Sequence, residues 1–196
     1  MIGFVGGTGG FAQGLAARLR AAGEEVVIGS RSPQGDIVAN AEAAERSEIV
    51  VLAVPPAGVE PTARDLAPLL AGKVVISVAA PIGVRDRRAF AEPGELSLAE
   101  LAARAAPEAR MVAGFHTLSA KALARLEDPL AEDVLLCGDD ADAKAEAARL
   151  AGLVVSGKAV DAGPLEVARW LEPFTAVLVS VNLLHRTQSG IVVTGL

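Results

Sequence analysis

Short runs of aliphatic and β-branched residues alternate along the chain with longer Ala-, Leu- and Arg-rich segments. In the longer segments the apolar positions recur every three or four residues, which predicts helices, whereas the short runs predict strands. The predicted strands are Ile2–Val5, Val26–Gly29, Ile49–Val54, Val74–Val78, Met111–Phe115 and Val134–Cys137. The predicted helices are Phe11–Ala22, Val59–Leu70, Leu96–Ala105 and Asp140–Ala151.

The apolar character of these strands indicates how they pack. Strands that are apolar along their whole length are buried on both faces, as in a parallel sheet covered by helices. Strands and helices that alternate along the chain form right-handed crossovers around such a sheet. We therefore predict an α/β fold: a doubly wound, mostly parallel, Rossmann-type sheet with a small helical segment at its C-terminal end.

Two connections depart from this regular pattern. The link after the second strand is short, so the second crossover helix is expected to be missing or reduced to a turn or two around residues 37–46. After the fourth strand, Ala79–Gly94 is predicted to be a long loop with three arginines, Arg85, Arg87 and Arg88. Long loops at the carboxyl ends of strands are where open α/β sheets bind ligands. The arginines are typical of a solvated loop, and contact with an acidic substrate tail is the alternative.

The last part of the chain is expected to form a separate unit. We assign residues 1–160 to a nucleotide-binding domain and residues 161–196 to a small C-terminal helical segment that completes a substrate cleft or a dimer interface. Pro164 suits the first position of its helix, and Pro173 should kink or restart it. Apolar residues recur every seven positions along this helix (Val167, Phe174 and Val181; Trp170, Val177 and Leu184). Such a stripe indicates either core packing or a homodimer seam.

Composition excludes several classes of protein. The chain has 196 residues, is 52% apolar and carries a net charge of −6, which argues against nucleic-acid and anionic-membrane partners. Its continuous apolar stretches are shorter than the roughly 20 residues that span a bilayer. Met1 leads directly into the first strand, so we expect no signal peptide and a cytoplasmic location. A single cysteine, Cys137, provides neither a disulfide nor a cysteine metal cluster.

A glycine-rich turn after the first strand carries the clearest chemical signal. Gly7-x-Gly9-x-x-Ala12 matches the dinucleotide fingerprint, in which Gly7 allows the tight turn and Gly9 lets the backbone approach a pyrophosphate. The small residue at position 12 allows the helix to pack on the strand. The motif follows a strand and opens a helix, which is the context that distinguishes it from an ordinary glycine turn. The residues predicted to bind the cofactor here are Gly7, Thr8, Gly9, Gly10, Phe11 and Ala12.

The end of the second strand predicts which dinucleotide binds. NAD sites place an acidic residue about 20 residues after the glycines, where it holds the ribose hydroxyls. Here the chain has Ser30, Arg31 and Ser32 instead, and a guanidinium with two hydroxyls suits a phosphate group. The alternative is an ordinary surface turn. We therefore predict an NADP(H) site.

Few other residues have the chemistry of a catalyst. His116 and Thr117 follow the fifth predicted strand, so His116 is a candidate to position a substrate or to act as an acid, or else a structural histidine. Asp139, Asp140 and Asp142 fit a helix cap better than a metal site. We predict no metal, no catalytic role for Cys137, and for His185 only a favourable interaction with a helix C-terminus.

Several short motifs together resemble one enzyme family, the NADPH-dependent reductases of the deazaflavin coenzyme F420 (deazaflavin:NADP oxidoreductases). The resemblance extends over nearly the whole chain. It rests on Gly-Gly-Thr-Gly (6–9), Gly-Ser-Arg (29–31), Asn-Ala-Glu-Ala-Ala (40–44), Val-Leu-Ala-Val-Pro (51–55), Phe-His-Thr (115–117), Cys-Gly-Asp-Asp (137–140), Asp-Ala-Gly-Pro-Leu (161–165), Arg-x-Leu-Glu (169–172) and the final Ser-Gly-Ile-Val-Val-Thr-Gly-Leu.

The resemblance implies hydride exchange between NADP(H) and a deazaflavin co-substrate, a small-molecule redox coenzyme. It places Thr8, Gly9, Ser30, Arg31, Val54, Pro55 and Ala79 along NADP, and His116, Thr117, Gly195 and Leu196 near the deazaflavin. Direct hydride transfer needs positioning more than acid–base groups, which agrees with the few candidates found. Two alternatives are an imine or β-hydroxyacid reductase and a non-catalytic NADP(H)-binding redox module.

Overall fold

The computed structural model describes all residues, 1–196. An eight-stranded sheet has the order β10-β9-β8-β5-β4-β1-β2-β3, and β6 and β7 form a separate hairpin. The strands are β1 (Ile2–Val5), β2 (Val26–Ser30), β3 (Val38–Ala39), β4 (Ile49–Leu52), β5 (Val74–Ser77), β6 (Ile82–Arg85), β7 (Arg88–Ala91), β8 (Arg110–Gly114), β9 (Val134–Gly138) and β10 (Ala159–Gly163). The helices are α1 (Gly10–Ala21), α2 (Asn40–Glu45), α3 (Val59–Leu70), α4 (Leu98–Ala105), α5 (Ala120–Leu123), α6 (Ala141–Val154) and α7 (Ala168–His185).

The predicted doubly wound α/β fold is confirmed. All strand pairs in the main sheet are parallel except β8 with β9, where Val112 faces Gly138 and Gly114 faces Leu136. One apolar cluster packs α1, α5 and α6 on one face of the sheet, and a second packs α2, α3, α4 and the start of α7 on the other. The short second crossover is also confirmed, since α2 has only six residues.

The segment predicted to be a long loop, 79–94, contains the β6–β7 hairpin instead. Its two-residue turn is formed by Asp86 and Arg87, both in left-handed backbone conformation with φ of 51° and 59°. Such a turn normally carries Asn-Gly or Asp-Gly, so the sequence Asp86-Arg87 does not predict a hairpin. The hairpin packs against α7, and the Arg85 guanidinium lies 5.2 Å from the centre of the Phe90 ring.

The C-terminal helix differs from its prediction at Pro164. Pro164 precedes a 3-10 turn, Leu165–Val167, and α7 itself begins only at Ala168. The helix continues through Pro173 without restarting. Leu171 and Leu178 are buried, so tertiary packing on one side of the helix outweighs the hydrogen bond that the proline removes.

Part of this helix is also long and apolar enough to cross a membrane. Counting the preceding turn, Leu165–His185 has 21 residues, and its most apolar window has a mean hydropathy of 1.3 and is 22% buried. No uninterrupted apolar run of that length occurs in the sequence, so the sequence alone does not reveal it. A single helix of this kind is a weak indication, because core helices meet the same criteria.

A buried carboxylate fastens α7 to the sheet domain. Glu172 has no exposed surface, and its two oxygens accept hydrogen bonds from the Leu98 and Ala99 amides at the start of α4, at 2.8 and 2.9 Å. Ser97 and Glu100 form a capping box at the same helix end. Arg169, one turn before Glu172, donates to Glu100 and holds the pKa of that carboxyl at about 2.

The last eight residues return to the sheet. The Asp133 carboxylate accepts hydrogen bonds from the amides of Val193 (2.7 Å) and Lys158 (2.6 Å), and the Asp133 amide donates to the Ile191 carbonyl at 2.7 Å. Because β9 is antiparallel to β8, Asp133 lies at the edge where the parallel strands end. The C-terminal segment is therefore held beside that edge by hydrogen bonds with the Asp133 carboxylate and amide. The division at residues 160 and 161 stays a prediction.

Burial raises the pKa of Glu172 to about 7, against the two amide hydrogen bonds that lower it. A carboxyl with a raised pKa holds its proton longer in the folded state, so its contribution to stability is present below about pH 4.5 and is lost as pH rises to about 7. We expect wild type to lose up to about 3 kcal/mol of unfolding free energy between pH 5 and pH 8 relative to Glu172→Gln, which cannot titrate. Urea denaturation of both proteins at the two pH values measures this difference, and parallel pH profiles would contradict it.

Candidate functional site

The glycine turn lies between β1 and α1, at the carboxyl edge of the sheet. Gly6 has φ of +75°, so the left-handed residue of the tight turn is Gly6. Gly7 is needed for a different reason: a Cβ there would lie 2.7 Å from the Phe4 Cβ and 3.0 Å from the Ile28 side chain. Glycine is therefore required at position 6 by the backbone conformation and at position 7 by close packing. Ala12 is buried against the sheet, as the motif predicts.

The next two glycines leave room for a ligand. A Cβ at Gly9 or Gly10 would have no atom within 4 Å, and no side chain caps the N-terminus of α1. The free amides at this helix end favour an anion such as a pyrophosphate. Two residues that sequence analysis did not single out hold the turn in place. The Asn40 Oδ1 accepts from the Gly6 amide at 3.0 Å, and the Gln13 side chain donates to the Gly7 carbonyl at 2.5 Å.

The residues predicted to bind a 2′-phosphate end β2 at the same edge. The Ser30 hydroxyl accepts a hydrogen bond from the Ser32 amide at 3.1 Å, which turns the chain away from the sheet. Arg31 is exposed and forms no ion pair. The first acidic residue after the strand is Asp36, which is also exposed. The arrangement leaves a guanidinium free at the position where NAD sites carry a carboxylate.

Three further predicted cofactor residues follow β4 and β5. The Val54 side chain lies over the glycine turn, where a Cβ on Gly6 would come within 2.6 Å of it. Pro55 is exposed and opens a short 3-10 turn. Ala79 is buried, whereas its neighbours Val78 and Ala80 line a cavity beside it. The roles of Val54, Pro55 and Ala79 toward NADP stay predictions.

A cavity of about 300 Å³ lies between the start of α1 and the side of α7. We call it the central cavity. Eight of its 14 lining residues are hydrophobic, and its polar groups come from hydroxyl, amide and imidazole side chains, with no carboxylate, lysine or arginine among them. It is lined by Phe11, Val78, Ala80, Ile82, His116, Thr117, Leu118, Ser119, Ala120, Thr175, Leu178, Val179, Asn182 and Ser189. Phe11, His116 and Thr117 were predicted from the sequence, and the α7 residues were not.

His116 is the buried polar group of this cavity. It is only 4% exposed, and neither ring nitrogen has a hydrogen-bond partner of normal geometry. Burial lowers its pKa to about 4, and the nearby Ala79 backbone only partly opposes this, so the imidazole is neutral near pH 7. The Thr117 hydroxyl is likewise buried and unpartnered. Buried polar groups without partners are rare in proteins, and a ligand in the cavity would satisfy these two.

The backbone before His116 is strained. Phe115 is buried and has φ of +65°, a conformation that bulky side chains rarely adopt. Such conformations cost about 1–3 kcal/mol and cluster at ligand sites. The Thr175 hydroxyl on α7 donates to the His116 carbonyl at 3.3 Å, which links the strained segment to the C-terminal helix.

Other sequence candidates lie outside the cavity. Leu196 is 74% exposed, and its carbonyl accepts from Lys158 Nζ at 2.6 Å, so a contact between Leu196 and a substrate stays a prediction. Burial raises the pKa of Cys137 to about 12, as expected for an unreactive thiol. Asp140 caps α6 by accepting from the Ala143 amide at 2.7 Å, which confirms the cap prediction. His185 is the last residue of α7.

Comparison with known proteins agrees with this geometry. Residues 1–81 match the family model described as NADP oxidoreductase, coenzyme F420-dependent. The chain is 35% identical to the F420-dependent NADP reductase of Methanothermobacter marburgensis and 30% identical to that of Methanocaldococcus jannaschii. Each alignment covers 100% of this chain and 98% of the relative.

Solved structures are also similar. A putative F420-dependent NADP-reductase from Arthrobacter sp. FB24 superposes with a TM-score of 0.86 at 26% identity, covering 99% of both chains. An imine reductase from Streptomyces aurantiacus has a TM-score of 0.60 at 18% identity, with 94% of this chain and 61% of that chain covered, and shares the fold alone. At 30–35% identity over essentially the full length of the archaeal relatives, the chain belongs to the family of F420-dependent NADP reductases.

Proposed function

We propose that this protein transfers a hydride between NADP(H) and the deazaflavin coenzyme F420. One observation carries the proposal: the central cavity joins Phe11, next to the nucleotide-binding turn, to Thr175 and Leu178 on α7. The side of this cavity at Phe11 would receive a nicotinamide that extends from the glycine turn, and the side at α7 would receive a second ring. The family membership supports F420 as the second ring.

The side chains of the cavity provide positioning rather than acid–base chemistry. The two coenzymes supply the redox chemistry, as a hydride passes from the nicotinamide of NADPH to the deazaflavin ring and solvent supplies one proton. The neutral His116 imidazole is available to donate one hydrogen bond and accept another at the ring edge, as is the Thr117 hydroxyl. The apolar walls would exclude water from two rings that meet in the cavity.

An imine or β-hydroxyacid reductase is less well supported. Such reactions need a proton donor at the substrate, and the central cavity contains no lysine or carboxylate. Lys121, the nearest lysine in sequence, is exposed and lies outside this cavity. A non-catalytic NADP(H)-binding module would bind NADPH without turnover.

The proposed function first predicts that the protein catalyses reduction of coenzyme F420 by NADPH. When NADPH is mixed with oxidised coenzyme F420 and the protein, the deazaflavin absorbance is expected to bleach at a rate proportional to protein concentration. FMN in place of F420 tests whether the acceptor site is specific for the deazaflavin. Tight NADPH binding without bleaching would favour the non-catalytic module.

The second prediction concerns the choice of nucleotide. Arg31→Glu replaces a guanidinium that suits the 2′-phosphate with a carboxylate that suits ribose hydroxyls. We expect NADPH to bind at least about tenfold more weakly, while NADH binding is unchanged or stronger. Isothermal titration with both nucleotides measures this, and Arg104→Glu, on the exposed side of α4, is the charge-matched control. Equal losses of affinity for NADPH and NADH would contradict the assignment of Arg31 to the 2′-phosphate.

We also propose that the protein is a homodimer that works in solution in the cytoplasm, without a nucleic-acid partner. The apolar stripe predicted along α7 is divided: Leu171 and Leu178 pack in the core, whereas Trp170, Phe174, Val177 and Leu184 are exposed. Their spacing forms one face of the helix, and a second copy of the same face is its self-complementary partner. Arg169 and Glu172 at the start of α7, and the net charge of −6, support a soluble protein.

The third prediction tests this seam. Val177 is half exposed at the middle of the stripe, so Val177→Arg places two charges against each other in a two-fold contact. We expect light scattering after size exclusion to give twice the chain mass for wild type and the single-chain mass for the variant. Leu153→Arg, at another exposed apolar position, on α6, is the matched control. A monomeric wild type at micromolar concentration would contradict the proposal.

A further inference from the structure

A second cavity, of about 380 Å³, opens off the central cavity. The two share four lining residues: Ser119, Ala120, Val179 and Asn182. The walls of the second cavity carry three cationic side chains from separate parts of the chain: Arg87 from the hairpin, Lys121 from α5, and Arg186 just after α7. We call this second cavity the basic cleft.

No acidic residue balances these cations. None of the ten residues that line the basic cleft is Asp or Glu, and Arg87, Lys121 and Arg186 take part in no ion pair. The whole chain carries six more negative than positive charges, so a chance grouping of three unpaired cations around one cleft is unexpected. Cations that converge on a concave surface raise the local concentration of an anionic ligand.

The backbone supports a functional role for two of them. Arg87 has φ of +59° and Arg186 has φ of +54°, in the left-handed region where Gly or Asn is more easily accommodated. Arg87 belongs to the hairpin turn and Arg186 ends α7, so both positions require this conformation, yet neither has the Gly or Asn that adopts it at least cost. The two strained positions belong to different elements, yet both arginines line the same cleft.

We propose that the basic cleft binds an anionic arm of the hydride partner, namely phosphate or carboxylate groups linked to the ring that occupies the central cavity. The inference rests on the proposed function and deepens it by assigning Arg87, Lys121 and Arg186 to the charged groups of the second coenzyme. The four residues shared by the two cavities line the passage through which a linker would connect the ring to its charged groups. The cleft then selects a charged deazaflavin over a neutral one with the same ring.

Three acceptors with the same deazaflavin ring distinguish the sources of negative charge. Coenzyme F420 carries a phosphodiester and carboxylates, the deazaflavin mononucleotide carries one phosphate, and deazariboflavin is neutral. We expect the KM to increase in this order, and added salt to raise the KM of the two charged acceptors only. A KM for the mononucleotide close to that for F420 assigns the cleft to phosphate, and one close to that for deazariboflavin assigns it to the carboxylates.

Two variants test the arginines without straining the fold. Arg87→Asn and Arg186→Asn remove a charge but suit left-handed backbone. Each is expected to raise the KM for F420 about tenfold, the value of one charge-assisted hydrogen bond, with kcat nearly unchanged. The KM for deazariboflavin should not change. Arg87→Lys, which keeps the charge, should retain most of the affinity for F420 that Arg87→Asn loses. Arg104→Gln, which removes a charge outside the basic cleft, is the control variant.

Three results would overturn the inference. Equal KM values for charged and neutral acceptors in wild type would show that the cleft contributes nothing, while leaving the proposed function intact. Equal increases for both acceptors in the asparagine variants would show a structural rather than an electrostatic role. If wild type binds NADPH but reduces none of the three acceptors, the proposed function fails, and the inference fails with it.

Discussion

The carboxylate of Glu172 is the contact on which the rest of the site depends. It lies on α7, contributes nothing to the surface, and accepts hydrogen bonds from the first two amides of α4. These amides would otherwise be unsatisfied at a buried helix end. A residue of the C-terminal helix therefore completes a helix of the sheet domain, which fixes where α7 crosses the carboxyl edge.

The position of α7 determines the character of the cleft. One face of the helix supplies Thr175, Leu178 and Asn182 to the central cavity, and the residue after its end supplies Arg186 to the basic cleft. Arg31 lies beyond the glycine turn, at the end of β2. The acidic chain thus presents positive charge at the end of β2 and in the basic cleft, while the central cavity contains no lysine, arginine or carboxylate, an arrangement that suits two anionic coenzymes whose redox-active rings meet in that cavity.

The parts of this structure that sequence could predict are those encoded locally. The glycine motif, the acid-free end of β2 and six strands are each visible within a short window, because burial on both faces requires an apolar run. β10 was missed because Ala159–Gly163 is an edge strand that pairs with β9 alone and lacks such a run. The grouping of Arg87, Lys121 and Arg186 was missed for a related reason: only the packing of the hairpin on α7 brings them together.

Strained backbone positions and buried polar groups without partners indicate the same site, without reference to any related protein. The unpartnered His116 and Thr117 line the central cavity, directly after the strained Phe115, and the left-handed Arg87 and Arg186 line the basic cleft that opens off it. Each costs stability, and the two apolar clusters that cover the sheet provide the stability that makes such costs tolerable. If packing alone governed these positions, Gly or Asn at the turns and an apolar residue at 116 would be more stable choices. Their concentration around two connected cavities is therefore best explained by ligands that contact them.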